Sequence, residues 1–426
     1  MNTTTPSVNA GLTLPLTDKK TIRILSYLCA LVYFTSYVTR INYAAVVSEI
    51  VRTEGLPKNM VSLAVTGLFI TYGVGQLISG YLGDHVRPRY LMCAGLILAS
   101  AMNLLLPLNP DPYYMLVVWC INGFGQALMW PPIVKLLTSY LSDADYVRAT
   151  VVVSWGSSLG TIVIYLIAPL FIAFSHWKTF FFFCAALGLL GAIVVMFGIG
   201  TIEKKIGMAS VTSKTKEETE KPKYTMSITP FIPVLTFMFI AIALQGSLRD
   251  GVTTWMPSYI GETFALGTAI SILTGVILPI FGIVCFTLSR VLYNKFVPNE
   301  PRLAGYLFIA AALASGVLAL FSGASPVLSV VCTMLITGCM HGINWLLVCV
   351  VPGRFKETGH TSTVSGVLNF ATYIGSALST YGFAALSQSF GWKGTILVWF
   401  IVSAAGMLVC FGIAPFWRFG TKHKSK

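Results

Sequence analysis

Long runs of apolar residues alternate with short clusters of Pro, Gly and charged residues along most of this chain. A helix that crosses a membrane needs about 20 apolar residues, and the runs have about that length. The pattern therefore predicts twelve membrane-spanning helices. They lie near residues 22–50, 59–83, 90–107, 113–142, 147–174, 178–200, 229–260, 266–293, 303–322, 325–352, 361–388 and 393–417.

One polar stretch divides the twelve predicted spans into six and six. Residues 201–228 are rich in Lys, Glu, Ser and Thr, which is typical of a solvated linker. We therefore predict an all-α membrane protein, in which twelve transmembrane helices form two pseudo-symmetric six-helix bundles. The amino-terminal bundle comprises residues 1–200, the cytoplasmic linker residues 201–228, and the carboxyl-terminal bundle residues 229–426.

Composition and charge support a membrane protein and predict its orientation. The mean hydropathy is +0.78 and only 10% of the residues are charged, compared with about 25% in an average soluble domain. With the amino terminus inside, 22 of the Lys and Arg residues fall on the cytoplasmic side and 4 on the outer side. Both termini are thus predicted to be cytoplasmic. The net charge of +13 then indicates contact with anionic membrane lipid and does not indicate nucleic-acid binding.

Two arginines occupy equivalent places inside apolar runs. Arg40 follows Ile22 by 18 residues, and Arg249 follows Phe231 by 18 residues. A charge at membrane depth costs several kcal/mol, so it normally faces a cavity and marks a substrate or ion pathway. Paired halves with a site between them are typical of secondary transporters. The two arginines therefore predict an anion site between the bundles.

Arginine suits such a site because its guanidinium stays charged and offers a planar fork of donors to phosphate or carboxylate oxygens. Tyr33 and Tyr37 lie seven and three residues before Arg40, so all three share one stripe of a helix. The alternative is that Arg40 reaches an interface along its own stem. About 13 Å of helix separates it from Glu49, which argues against that alternative.

Several motifs resemble those of the major facilitator superfamily and, within it, the organophosphate:phosphate antiporters. Gly80–Arg89 matches the superfamily loop between spans two and three. Four further segments resemble motifs of the antiporter subfamily, namely Arg40–Tyr43, Leu248–Gly251, Trp255–Tyr259 and Gly123–Pro132, the last followed by Lys135. The resemblance covers all twelve spans. It implies a carrier of glycerol phosphate, hexose phosphates or related compounds, in the inner membrane of a bacterium.

The resemblance also implies further site residues. Tyr33, Tyr37, Tyr72 and Tyr373 match tyrosines that line the family's cavity, and Trp130 and Trp155 match aromatic residues near it. Tyrosines at interfaces or in packing are common alternatives. Trp130 precedes two prolines, so a helix bend with a packing ring is equally open.

Three positions depart from the glycerol-phosphate antiporters. A span-two lysine of those proteins is Gln76 here, a span-five histidine corresponds by position to Leu159, and a span-ten tyrosine corresponds to His341. The exact substrate therefore stays open. His341 is predicted to be a polar cavity residue, with a proton relay as the alternative.

Asp250 is the one acidic residue that we place deep in a predicted span, and it directly follows Arg249. Neighbouring side chains on a helix point about 100° apart, so the two need not pair. One hypothesis is a local counter-charge that holds Arg249 in place. The other is a coupling site that carries a proton or binds a cationic group of a zwitterionic substrate.

Other function classes find no support in the sequence. It contains no Walker motif for ATP, no HExxH or GxSxG motif, and no Cys and His spacing typical of zinc. We expect no enzyme activity, no metal and no cofactor, and a monomer. The predicted function is secondary active transport of small phosphorylated organic anions by alternating access, in exchange for inorganic phosphate. The alternatives are a proton-coupled or facilitated carrier of another small anion, such as a carboxylate or phosphonate, and a transporter-like ligand sensor.

Overall fold

The structure is a computed structural model that describes residues 16–213, 226–265 and 268–417. Helices joined by short turns make up this part of the chain. In chain order they are α1 (Lys19–Glu54), α2 (Lys58–His85), α3 (Pro88–Leu105), α4 (Pro112–Ala127), α5 (Trp130–Tyr140), α6 (Asp143–Phe174), α7 (Trp177–Ser213), α8 (Ile232–Phe264), α9 (Thr268–Lys295), α10 (Glu300–Leu320), α11 (Pro326–Asn344) and α12 (Thr361–Ile413). A π-helical turn at Trp345–Val350 and a 3₁₀ segment at Val351–Thr358 continue α11.

The predicted all-α membrane fold is confirmed. Helices α4 and α5 share one predicted span, and α12 contains the last two. Eleven described helical segments are long and apolar enough to cross a membrane. The predicted span at 361–388 is helical, but only its end belongs to one of these eleven segments. Eight Ser and Thr residues between 361 and 384 lower the hydropathy of the rest.

The helix ends depart from the predicted spans at three places. α7 continues past the predicted end at residue 200 to Ser213, and residues 214–225 of the predicted linker lie outside the described residues. α4 and α5 are separate because Pro131 and Pro132 lack the amide donors that a continuous helix would need. Gly391 bends α12 with a φ of 66°, which favours glycine, so the two last spans read as one helix with a kink.

Equivalent helices of the two halves pack through glycine. α1 lies against α6, where a side chain on Gly156 would collide with the backbone oxygen of Ala30. In the second half α8 lies against the first part of α12, where a side chain on Gly375 would collide with the backbone oxygen of Ala243. Close backbone approach at small residues is how membrane helices associate without a hydrophobic driving force. The helices that carry the two arginines are therefore held in the same way.

The two halves meet along α2 and α12, and the contact is closest at what we call the terminal face, the end of the bundle that holds Lys19 and His85. A side chain on Gly366 would collide there with the backbone oxygen of Gln76. The Asp84 carboxylate accepts hydrogen bonds from the backbone amides of Ser362 (3.0 Å) and Thr363 (2.8 Å). A carboxylate at a helix start complements the helix dipole. Asp84 of the first half thus caps α12 of the second.

A second set of contacts joins the halves on the same face. The Tyr146 hydroxyl donates to the backbone oxygen of Cys349, and Trp345 Nε1 donates to Thr150 Oγ1 at 3.0 Å. Arg354 lies 3.6 Å from Asp143 of the first half. The structure therefore shows the halves closed against each other at the terminal face.

We predict that Gly366→Ala opens the terminal face, because the new methyl group forces α2 and α12 apart. Overpacking of this kind costs about 1–3 kcal/mol. The measurement is maleimide labelling of a single cysteine at the buried position Ser365, in protein without its native cysteines. Labelling should be faster, and the unfolding temperature lower, in the Gly366→Ala background.

Gly412→Ala is the matched control on the same helix, since no heavy atom lies within 4 Å of the added methyl group. Equal labelling rates in the two alanine variants would contradict the close contact of the halves at Gly366.

Candidate functional site

Arg40 lies deep in the first half, with only 7% of its surface exposed. Its guanidinium carbon is 4.2 Å from the ring centre of Tyr37 and 5.0 Å from that of Tyr72. Cations bind the electron-rich faces of aromatic rings in this range. Among the described residues, no carboxylate lies within salt-bridge distance of Arg40, and its buried Nε has no hydrogen-bond partner. Arg40 is therefore a buried cation with an unused donor.

Aromatic side chains from both halves form a cup around Arg40, which we call the aromatic cup. The ring of Tyr33 lies 5.3 Å from Tyr37 and 5.0 Å from Trp130, and the ring of Tyr72 lies 4.5 Å from Tyr373 of the second half. The side chains of Tyr33 and Tyr373 are also close enough to Arg40 to interact with its charge. The structure thus brings together five of the predicted aromatic residues, namely Tyr33, Tyr37, Tyr72, Trp130 and Tyr373.

Trp130 is both a packing ring at a helix bend and a member of the aromatic cup, the two alternatives that the sequence left open. It begins α5 immediately after the break in the helix, so it is a packing ring at a bend. Its buried indole nitrogen, however, has no hydrogen-bond partner in the described structure. Buried donors normally find a partner, so a ligand acceptor would explain both Trp130 Nε1 and Arg40 Nε.

Buried amides fix the backbone beside Arg40. Asn103 and Asn122 donate to the backbone oxygen of Thr39 at 2.9 and 3.0 Å. Gln126 donates to Thr39 Oγ1 at 2.9 Å and accepts from Ser36 at 2.6 Å. These bonds tie α1 to α3 and α4, so Arg40 cannot easily withdraw from the cup. Gln126 belongs to the Gly123–Pro132 motif, but its role in fixing α1 was not expected from the sequence.

Arg249 differs from Arg40 because it has a carboxylate partner. Its Nε lies 2.7 Å from Asp250 Oδ1 and a terminal nitrogen lies 2.8 Å from Asp250 Oδ2, a bidentate pair. Ser376 Oγ lies 2.5 Å from Asp250 Oδ2. Although neighbouring helix positions diverge, the long Arg249 side chain folds back to make the pair. Ser376 was not expected from the sequence.

The two arginines share neighbours. Tyr37 and Tyr373 are within electrostatic range of both guanidinium groups. The helix of Arg249 is also supported by amides, since Gln245 donates to the backbone oxygen of Met340 at 3.0 Å and lies 3.5 Å from Asn344. Gln245 precedes Arg249 by four residues, as Ser36 precedes Arg40. The cup and the Arg249–Asp250 pair therefore form one cluster between similarly supported helices.

His341 lies on the Arg249 side of this cluster. Its ring packs edge-on against Phe286 at 5.5 Å and adjoins Gly282 of α9. It is within electrostatic range of Arg249 and Asp250. The structure therefore brings His341 to the cluster, as a polar group beside the ion pair.

The other departures from the glycerol-phosphate antiporters do not add charge to the cluster. Gln76 is fully buried, accepts from Asn369 of the second half at 2.9 Å, and donates to the backbone oxygen of Ala127 at 3.3 Å. Leu159 is 48% exposed and shares a helix face with the exposed Leu166. A leucine at the position of a histidine adds no titratable group to the cluster.

Trp155 is the predicted aromatic residue for which the described part of the chain shows no ring contact with the cup. It adjoins Gly156, which packs on Ala30 one turn of α1 before Tyr33. Its buried indole nitrogen also has no partner among the described residues.

Glu300 is a buried acid that the sequence analysis did not single out. The residue is fully buried at the start of α10. Its carboxylate accepts from Arg354 (2.8 Å), Tyr293 (2.8 Å) and Trp417 (2.7 Å). These partners lie at the terminal face, so Glu300 stabilises the second half there and does not belong to the arginine cluster.

Comparison with known proteins places this geometry in a family. The sequence model of the Major Facilitator Superfamily matches residues 29–380. The chain is 23% identical to the "Probable hexose phosphate transport protein" of Chlamydia trachomatis over 410 residues, which are 91% of this chain and 89% of the relative. It is 22% identical to the "Membrane sensor protein UhpC" of Escherichia coli over 401 residues, which are 90% of this chain and 89% of the relative.

A solved structure shows the same fold. The fold is similar to that of the proton:xylose symporter XylE bound to 6-bromo-6-deoxy-D-glucose, with a TM-score of 0.72, 14% identity, and coverage of 93% of this chain and 96% of that one. These findings confirm the resemblance on which the sequence analysis relied. The protein is an integral, multi-pass membrane protein that belongs to the Major Facilitator Superfamily.

Proposed function

We propose that this protein is a secondary transporter of small phosphorylated organic anions, which it exchanges for inorganic phosphate by alternating access. The observation that carries the proposal is Arg40, a buried cation with an unused donor, inside an aromatic cup to which both halves contribute. Membership of the superfamily confirms the prediction that the chain is not an enzyme.

The cluster fits a phosphate ester in two ways. The guanidinium of Arg40 and the indole nitrogen of Trp130 supply donors for phosphate oxygens. The rings of Tyr33, Tyr72 and Tyr373 supply flat apolar faces and hydroxyls for a sugar or glycerol moiety. The name of the chlamydial relative, a hexose phosphate transport protein, supports this assignment.

The contacts between the halves fit alternating access. A ligand that contacts Arg40 and Tyr72 of the first half and Tyr373 of the second would draw the halves together around it. The Asp84 cap on α12 and the packing at Gly366 would have to part when the terminal face opens. Such rocking of one half against the other is the general mechanism of transporters with paired halves.

Exchange follows from the unpaired cation. Without a bound anion, the change of conformation would enclose the Arg40 charge in a low-dielectric cavity, which is unfavourable. A bound anion removes this penalty, so the loaded carrier changes conformation faster than the empty one. Inorganic phosphate is then a suitable ligand for the return step.

The orientation and assembly belong to the same proposal. We place the terminal face and both termini in the cytoplasm, because the basic residues concentrate at that end. The protein would act as a monomer in a bacterial inner membrane, in contact with anionic lipid. We expect no nucleic-acid partner.

A ligand sensor is the second candidate, and one observation favours it. The similar protein of Escherichia coli is named a membrane sensor protein. A sensor would bind the same anion in the same cluster, but would not carry it. A proton-coupled carrier is less well supported, because Arg249 and Ser376 already engage both oxygens of Asp250.

We predict that Arg40→Lys and Arg249→Lys each reduce transport of glucose 6-phosphate or glycerol 3-phosphate by about 10- to 100-fold. Lysine keeps the charge but lacks the planar fork, so Arg40→Lys loses a hydrogen bond to the phosphate and Arg249→Lys loses the bidentate pair with Asp250. Hydrogen bonds to charged groups contribute about 1.5–3 kcal/mol. The measurement is uptake by purified protein in liposomes.

Arg52→Lys is the matched control, because Arg52 is exposed at the end of α1, where it pairs with Glu49. It should transport at the wild-type rate. Wild-type transport by either of the other two variants would contradict a role of that arginine in the site.

We predict that liposomes loaded with inorganic phosphate take up external organic phosphate at least about tenfold faster than empty liposomes, since the empty carrier returns slowly. An imposed pH gradient alone should have little effect. Uptake into empty vesicles that follows a proton gradient would favour the proton-coupled alternative. Specific binding without uptake under either condition would identify a sensor.

A further inference from the structure

The charge of the arginine cluster is smaller than the two arginines suggest. Arg249 and Asp250 form a bidentate pair with no net charge. Gln76, which stands where the glycerol-phosphate antiporters have a lysine, is neutral and bonded to Asn369. Arg40 is thus the cation of the cluster that lacks a counter-charge among the described residues.

Neighbouring groups do not alter this count. The carboxylate of Asp250 accepts from Arg249 and Ser376, which stabilises its ionised form. The ring of His341 is buried against Phe286, and the nearby Arg249 cation and Asp250 carboxylate act on it in opposite directions, so we count it as neutral. The described ion pairs at the terminal face belong to a separate region, and residues 266–276, whose side chains are not described, include no charged type.

We propose that the cluster, with a net charge of +1, selects organic phosphates of net charge −1 over dianions. This inference rests on the proposed function and deepens it. A monoanion brings the net charge of the enclosed cluster to zero. A dianion would leave one uncompensated negative charge in a low-dielectric cavity, or would have to displace Asp250 from Arg249.

The structure also distinguishes this selection by charge from a grip on an ammonium group. Both oxygens of Asp250 are already hydrogen-bonded within the cluster, so Asp250 has little capacity left for a cationic substrate group. Asp250 acts here through Arg249. It is a specificity-determining residue because it cancels the second positive charge.

The test compares two ligands that differ by one methyl group. Glycerol 3-phosphate is a dianion at pH about 8, well above its second pKa of about 6, whereas its methyl diester stays a monoanion at every pH near neutrality. Histidine with its ordinary pKa of about 6.5 is also neutral at that pH. Binding of both ligands to the purified, full-length protein is measured by competition against a labelled organic phosphate. The wild-type protein should prefer the diester by about tenfold.

Asp250→Asn separates charge from shape, because it raises the net charge of the cluster to +2 while the ligands stay the same. The preference should shift towards the dianion by about tenfold or more. The double variant Arg249→Gln with Asp250→Asn restores a net charge of +1, so the monoanion should again be preferred, with weaker binding. Glu262→Gln removes an exposed carboxylate from the same helix and should leave the preference unchanged.

The outcomes separate this inference from the proposed function. A wild-type preference for the dianion, or a ratio that Asp250→Asn does not change, would overturn the charge selection while phosphate transport stands. The wild-type ratio alone decides the matter if Asp250→Asn does not fold. A preference for phosphoethanolamine over the diester that Asp250→Asn abolishes would also overturn it, in favour of an ammonium grip. Failure of every phosphate ligand to bind would contradict both proposals.

Discussion

Two guanidinium groups buried at membrane depth impose the constraint on which the rest of this structure depends. Each would cost between about 3 and more than 10 kcal/mol if it faced lipid on an isolated helix. The protein reduces this cost differently in its two halves. Arg40 lies on the faces of Tyr37 and Tyr72, which offer attraction without a full negative charge. Arg249 is neutralised by Asp250.

The asymmetry is informative because the surrounding scaffold is symmetric. α1 and α8 are each held by an amide contact four residues before the arginine, and each packs through a glycine on a helix of its own half. On this matched scaffold, one arginine keeps its charge for a ligand and the other has most of it cancelled. The cluster therefore attracts an anion while presenting one net positive charge. The halves are closed at the terminal face through Asp84 and Gly366. The arginine cluster is farther from that end, between the two halves.

Sequence patterns predict where the helices lie and that Arg40 and Arg249 are inside the bundles, because hydropathy and an isolated charge in an apolar run are local signals. The pairing of Arg249 with Asp250 was one of two hypotheses that the sequence left open, since it depends on how a long side chain folds back along its own helix. The contact of Gln76 with Asn369 joins residues almost 300 positions apart, and no local pattern encodes it. Glu300 was missed because it lies at a helix start, where acids are ordinarily solvated.

The central claim is that the phosphate group of the substrate accepts a hydrogen bond from the unused donor of Arg40 inside the aromatic cup. An experimental structure with bound glucose 6-phosphate tests it most directly. The account predicts density for the phosphate group with an oxygen about 2.7–2.9 Å from the Arg40 guanidinium, while the Arg249–Asp250 pair remains intact. A phosphate group held by Arg354 at the terminal face, or by Arg249 alone with Asp250 displaced, would contradict it.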